Sequence, residues 1–375
     1  MERNTRILLF ICLCLAVAFG FAPAFGFTSE RHPFAVLHVF GFNLLSGGLL
    51  LILHARGKKA PGAFEAFFLL GAVVFVLGAF FFMPAVNIVT AAALGAMVES
   101  IRWRKFSWFP SEFFTAAPVS EKFEQAALLC LSLGLFIAAA TVLNNEYLHI
   151  IHAEKLGLHV FFLGFSFPIS LITYSLIFER AENSGRPRRR ALEEFCFWGL
   201  NLGVIIFFVF IVLGIYPMQL VMAFTLFVTV WLTFYVHVMS GRRGPEWSFL
   251  LSALGFLAVG STTGIIYIMV SWKSAPYTPG YLLSLHSAAN LFGWNLTWMM
   301  LTLRKNQFPL RAGLKLIIPL HWLFVLSIPL GRVIFAASVV STALTAALLG
   351  LAILAPGMEE KPDFPPLPRD QQTLP

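Results

Sequence analysis

Apolar residues fall in twelve long runs separated by short polar stretches: 7–27, 34–54, 64–84, 86–101, 124–143, 157–178, 193–215, 217–238, 248–270, 281–303, 315–331 and 333–355. Nearly all reach the length of about 17 residues or more that a helix needs to cross a hydrocarbon core of roughly 30 Å. The alternation of a membrane β-barrel is missing. Backbone groups in lipid must be satisfied within their own segment, which makes helices the default. The pattern predicts an all-α, polytopic membrane protein with about 12 transmembrane helices. The runs 86–101 and 315–331 are the shortest. No intervening stretch is long enough for a folded domain, so residues 1–356 are expected to form a single transmembrane domain. From Gly357 the chain reads "GMEEKPDFPPLPRDQQTLP". This proline-rich, polar segment, 357–375, is expected to be a disordered cytoplasmic tail.

Composition agrees: 58% of residues are hydrophobic and 12% charged, about half the charge of a soluble domain. The formal net charge is +8, and its placement matters more than its size. If the first run leaves the cytoplasm, the inside segments hold 22 of the 26 Lys and Arg residues, and only Arg31, Lys155, Lys273 and Arg332 fall outside. That is the positive-inside pattern. It predicts cytoplasmic N- and C-termini and a multi-pass protein of the cell inner membrane. The basic residues are then topology signals facing the lipid bilayer, and no nucleic-acid module is visible. Arg3 and Arg6 precede the first run, and "APA" at 22–24 imitates a signal-peptide cleavage site. The length of the run and the proline inside that motif favour a span instead. Cys12, Cys14, Cys130 and Cys196 all lie within runs, so no disulfide framework is expected. The longest inside segment, "RWRKFSWFPSEFFTAAPVSEKF" at 102–123, mixes basic and aromatic residues. It suits either the membrane interface or an ordinary aromatic belt.

Three runs carry a histidine near one end: His38 in "VLHVFGFN", His159 in "GLHVFFLGFS" and His286 in "SLHSAANLFGWN". They are 121 and 127 residues apart, in the second, sixth and tenth runs. All three runs travel from outside to inside, which places the histidines at one depth. That spacing suggests a threefold, four-helix internal repeat. Neutral imidazole ligates metals, and three imidazoles at one depth are candidates for holding a haem iron, a copper ion or both. The competing role for each is an interhelical hydrogen bond, with Asn43, Ser166 or Asn290 as partner. In "NNEYLHIIHAEKLGLH", Glu146, His149 and His152 recur every three residues and form a second candidate metal stripe near His159. His54 and His237 lie near inner ends, where they can snorkel. His321, in the short eleventh run, is a reserve ligand. No carboxylate lies deep within a run, Glu99 being the furthest in. That counts against a proton-coupled transporter or pump.

Twelve spans with histidines in the second, sixth and tenth resemble subunit I of the haem-copper oxidases. The stretches "HVFGFNLLSGGLLLILHARGKKAPG" and "HSAANLFGWNLTWMMLTLRKNQF" are closer still to the smaller NnrS-type membrane proteins, which are associated with haem, copper and the response to nitric oxide. The resemblance implies that His38 and His286 are the axial pair of one low-spin haem and that His159 is a copper-side ligand. It also implies electron transfer or nitric oxide detoxification, with an electron-donor protein or other membrane subunits as partners. The chain departs from the oxidase pattern at Ser284 and Ala288, where a second histidine of span 10 is missing, and in span 7, which has none. One bis-histidine haem fits, whereas a full oxygen-reducing centre does not. Two other readings stand beside this one. In the first, the chain is a twelve-span secondary transporter whose basic segment 179–192 links two six-span halves. In the second, it is a non-catalytic membrane subunit with structural histidines.

Overall fold

The computed structural model describes residues 1–27, 34–151, 158–182, 187–239, 244–274, 280–304, 313–331 and 333–355, with the side chains of the sixth helix from Phe165 onward. His152 and the tail 357–375 lie outside the described residues. The chain forms helices α1 (Arg3–Phe21), α2 (Phe34–Phe40, continued by Gly41–Gly48 and Leu49–Ala55), α3 (Ala63–Phe80), α4 (Pro84–Lys105), α5 (Val119–Leu143) and α6 (Leu158–Glu182). These are followed by α7 (Pro187–Leu213), α8 (Tyr216–Met239), α9 (Pro245–Ser274), α10 (Gly280–Ala288, continued by Ala289–Asn295 and Leu296–Leu303), α11 (Leu314–Gly331) and α12 (Phe335–Leu349). Among the described residues there is no strand, and ten helices are long and apolar enough to cross a membrane. The remaining two, α6 and α10, coincide with the sixth and tenth predicted runs. The protein is an all-helical, polytopic membrane protein.

Boundaries moved where proline dictates. The run 64–84 stops at Phe80 because Pro84 opens α4, and a residue before proline is driven out of the helical region. Phe82 takes up the reversal with φ +54°.

Most successive helices pack side by side, except that α7 lies against α5 and α6 against α8, and the ring closes where α12 meets α1. Three helices, α2, α6 and α10, are drawn inside it. In the second crossing, Phe34–Ala55, 89% of the residues in an 18-residue apolar stretch are buried, against 22% in the corresponding stretch of Arg189–Leu213 in α7. Outer helices turn Leu70, Val89, Ile205 and Phe224 outward, as a lipid-facing surface requires. Three helices meet at the centre. A Cβ on Gly47 of α2 would overlap Ile169 Cδ1 of α6 and come within 2.9 Å of Met299 Cε of α10. Small residues at such a seam let backbones approach where no hydrophobic force draws helices together. Trp294 of α10 donates from Nε1 to Ser170 Oγ of α6 at 2.6 Å, and Asn295 Nδ2 donates to the Ser166 carbonyl and hydroxyl at 3.1 and 3.0 Å.

One end of the bundle gathers the charges. Glu2 N–H donates to the Lys59 carbonyl, so the N-terminus sits beside the loop after α2. Arg304, at the end of α10, donates to Ala352 at the end of the last crossing. Among the described residues, six ion pairs lie at this end: Arg56–Glu65, Arg102–Glu99, Lys105–Glu124, Lys122–Glu194, Arg180–Glu246 and Arg189–Glu193. They explain how carboxylates come to sit within the apolar runs: each stands at a helix end with a cation. The segment after α4 is pinned here. Arg102 donates to the Ser107 and Trp108 carbonyls. Glu112 accepts from Ser107 and Gln125. Slight desolvation pushes the Glu112 pKa up, but these hydrogen bonds outweigh it and hold the carboxyl below its usual range. Trp103 near the end of α4, and Trp108, Phe109 and Phe114 along this segment, remain exposed.

Candidate functional site: two histidine notches

The opposite end of the bundle holds His38 and His286. With a rise of 1.5 Å per residue they lie about 6 Å and about 9 Å from the starts of α2 and α10. His38 leans on α1, the helix before its own. Its Nδ1 is 2.8 Å from the Ala16 carbonyl. A Cβ on Gly20, one turn further along α1, would sit 2.7 Å from that same Nδ1. His286 leans on α9 in the same way. Its Nδ1 is 2.8 Å from the Gly260 carbonyl, and a Cβ on Gly264 would sit 3.0 Å from Cε1. In both cases a small residue supplies the acceptor, and a glycine one turn later leaves the notch that the ring fills.

The chemistry follows from the acceptor. A carbonyl oxygen only accepts, so both Nδ1 atoms carry the proton and both Nε2 atoms keep the lone pair. Among the described residues, neither Nε2 has a hydrogen-bond partner, and neither is an enclosed polar atom. An imidazole whose Nδ1–H is tied to a backbone carbonyl has its tautomer and orientation fixed and its Nε2 made more basic, which is the usual arrangement behind a metal-ligating histidine.

The likeness continues below the rings. Each helix turns π-helical three residues after its histidine, at Gly41–Gly48 and at Ala289–Asn295. A π-turn re-aims side chains and displaces carbonyls from the regular ladder, and side chains take up several of these. Ser46 donates to Gly41 O at 2.9 Å, Thr297 to Gly293 O at 2.7 Å and His321 to Phe292 O at 2.6 Å. Phe292, held by its own π-turn, places its ring 5.5 Å from that of His38. Within the same helices Asn43 Oδ1, Asn295 Oδ1 and Trp298 Nε1 are enclosed and without a partner.

His38 and His286 have matching surroundings. His159 lies at the second position of α6, and its side chain is outside the described residues, as is His152 entirely. α6 contains no π-turn, so the local likeness joins two of the three predicted repeat units. Of the stripe Glu146, His149 and His152, the described part leaves the helix before His149. The chain after α5 ends its last turn at Leu148, and His149 reverses it at φ +52°. A side chain in the left-handed region leaves the helical face, and His149 is exposed. Among the described residues no group of three or more His, Cys, Asp or Glu side chains could hold a metal ion. His237 does not snorkel. It is 0% exposed, stacks on Trp247 at 5.3 Å and reaches the Trp247 carbonyl through Nε2. Asn290 donates to the carbonyl of His286 on its own helix at 2.7 Å, so it does not meet the ring. Sequence reasoning missed Ala16, Gly20, Gly260 and Gly264. The signal was there: each histidine helix follows one that carries two small residues four apart.

Comparison of the chain with family models, with curated proteins and with solved structures gives no match in any of the three.

Proposed function

We propose that the protein crosses the cell inner membrane twelve times, with the charged end of the bundle toward the cytoplasm. We further propose that it binds one haem through Nε2 of His38 and Nε2 of His286, in electron transfer or in the response to nitric oxide. The observation that carries the reading is the repeated notch: two imidazoles, each with Nδ1–H on a backbone carbonyl and Nε2 free. Two neutral imidazoles with Nε2 open are the donor chemistry that a bis-histidine haem takes, and when bound such a group supplies a one-electron couple. This chain's own residues do the rest. The carbonyls of Ala16 and Gly260 hold the protons on Nδ1. Gly20 and Gly264 let the rings seat against the neighbouring helices. Phe292 covers one side of His38. Copper finds no comparable donor set among the described residues and rests on His159 alone. The bias of Lys and Arg toward one set of segments supports the orientation, and an electron-donor protein or a second membrane subunit is the partner class this activity requires.

The test is a reduced-minus-oxidised visible spectrum of protein purified after expression with ample haem precursor, with His38→Ala and His286→Ala beside it. A low-spin signal in the wild type that is lost in either variant is the expected result. A flat wild-type spectrum in a preparation free of iron would overturn the reading. Solute uptake into proteoliposomes that survives removal of His38, His159 and His286 would favour a transporter in its place.

A further inference from the structure

A second site lies at the charged end, away from the histidines. A cleft of about 430 Å³ opens between the ends of α2, α3 and α4. Arg56 and Lys58 enter it from the loop after α2, and Arg104 and Lys105 from the last turn of α4. Phe64 and Ile101 form its apolar wall. The charges do not balance. Glu65 is taken by Arg56 at 2.7 Å and by the Gly62 N–H at 2.9 Å, and Glu124 is taken by Lys105. Among the described residues, Lys58 and Arg104 make neither a side-chain hydrogen bond nor an ion pair. Two uncompensated cations therefore share one concavity. The positive-inside rule accounts for basic residues at this end, but it does not require them to converge from two segments upon a recess. Arg56 is also immobilised, with its guanidinium 4.5 Å from the centre of the Phe64 ring, so one donor is presented in a fixed position.

We propose that this cleft binds a phosphoryl anion. Two free cations beside an apolar wall suit a phosphodiester or phosphate that is partly withdrawn from water. The group could arrive as the headgroup of an anionic lipid or as free phosphate. Exposed aromatic residues close in sequence to the lining, Phe67 one turn after Phe64 on α3 and Trp103 next to Arg104 on α4, suit headgroup depth and favour the lipid.

The experiment uses the full chain purified in detergent. Retention of phosphatidylglycerol and of phosphatidylcholine is measured by native mass spectrometry, with and without millimolar inorganic phosphate. Lys58→Gln/Arg104→Gln is compared with Lys59→Gln/Lys315→Gln, which removes the same charge outside the cleft. Phosphatidylglycerol affinity should fall about tenfold in the cleft variant and stay within about twofold of wild type in the other. Displacement of the lipid by inorganic phosphate would identify the soluble anion as the natural occupant, and indifference to it would identify the lipid. Equal retention by the cleft variant and wild type, or equal losses in both double variants, would overturn the proposal. Helical circular dichroism confirms that each variant is folded.

Discussion

Two histidine environments in this bundle look alike in the sequence and differ in chemistry. His38 and His286 use Nδ1 to hold a carbonyl of the preceding helix and leave Nε2 open. His321, deeper in α11, does the reverse. It is 0% exposed, gives Nε2–H to the Phe292 carbonyl at 2.6 Å and encloses its Nδ1 without a partner. Phe256 packs against its ring at 4.7 Å. The first pair is oriented and open, whereas the third is oriented and closed. An intramembrane histidine is a functional candidate by default. The nitrogen it leaves free decides between ligand and strut. His321, a reserve ligand on sequence grounds, holds the carbonyl displaced by the π-turn of α10. It still touches the site at one remove, because the residue it holds is the one whose ring lies beside His38.

The contrast can be broken most directly at the imidazoles. His38→Ala or His286→Ala should abolish haem absorbance, while His321→Ala should retain it. Loss of the signal in His321→Ala alone would invert the assignment. A smaller effect is expected behind the ring. Gly20→Ala places a methyl group 2.7 Å from His38 Nδ1, which tips the ring off the Ala16 carbonyl. Disturbing such a supporting contact should weaken haem retention roughly 10- to 100-fold, as measured by transfer of haem to apomyoglobin. Gly264→Ala, with a looser approach, should do less. Unchanged retention in Gly20→Ala would mean that the carbonyl contact is incidental. His321→Phe sharpens the other side. It strands the Phe292 carbonyl in an enclosed site and should cost about 1–3 kcal/mol, seen as a lower thermal midpoint, with haem still bound to folded protein. The smallest change is Ser46→Ala, which removes one neutral hydrogen bond to Gly41 O. It should cost about 1 kcal/mol or less in the same melt.

The two ends of the bundle were legible to different degrees. At the charged end, partners are close in sequence or follow from the rule that charges gather at helix ends. Glu99 with Arg102, and Arg189 with Glu193, are one turn apart. Those pairings need only helical periodicity. At the histidine end, the acceptors of His38 and His286 are backbone carbonyls 22 and 26 residues away. A backbone carbonyl is present at every residue, so no side-chain pattern marks which one is used. Asn43 and Asn290 carry the polar side chains that a sequence pattern singles out as partners for His38 and His286. For these two histidines the structure uses peptide groups instead, made reachable by small residues such as Gly41, whose Cβ would lie 3.0 Å from that of Ala16.

By itself the sequence determined the all-helical, polytopic class and the positions of its apolar runs, because hydropathy acts residue by residue and lipid allows few alternatives. It also placed three histidines near matching helix ends. The tertiary structure alone decided which helices occupy the centre, where two of them turn π-helical, and which nitrogen of His38 and of His286 stays free. Those outcomes depend on how closely two backbones approach, and that distance is set by atoms from segments far apart in the chain.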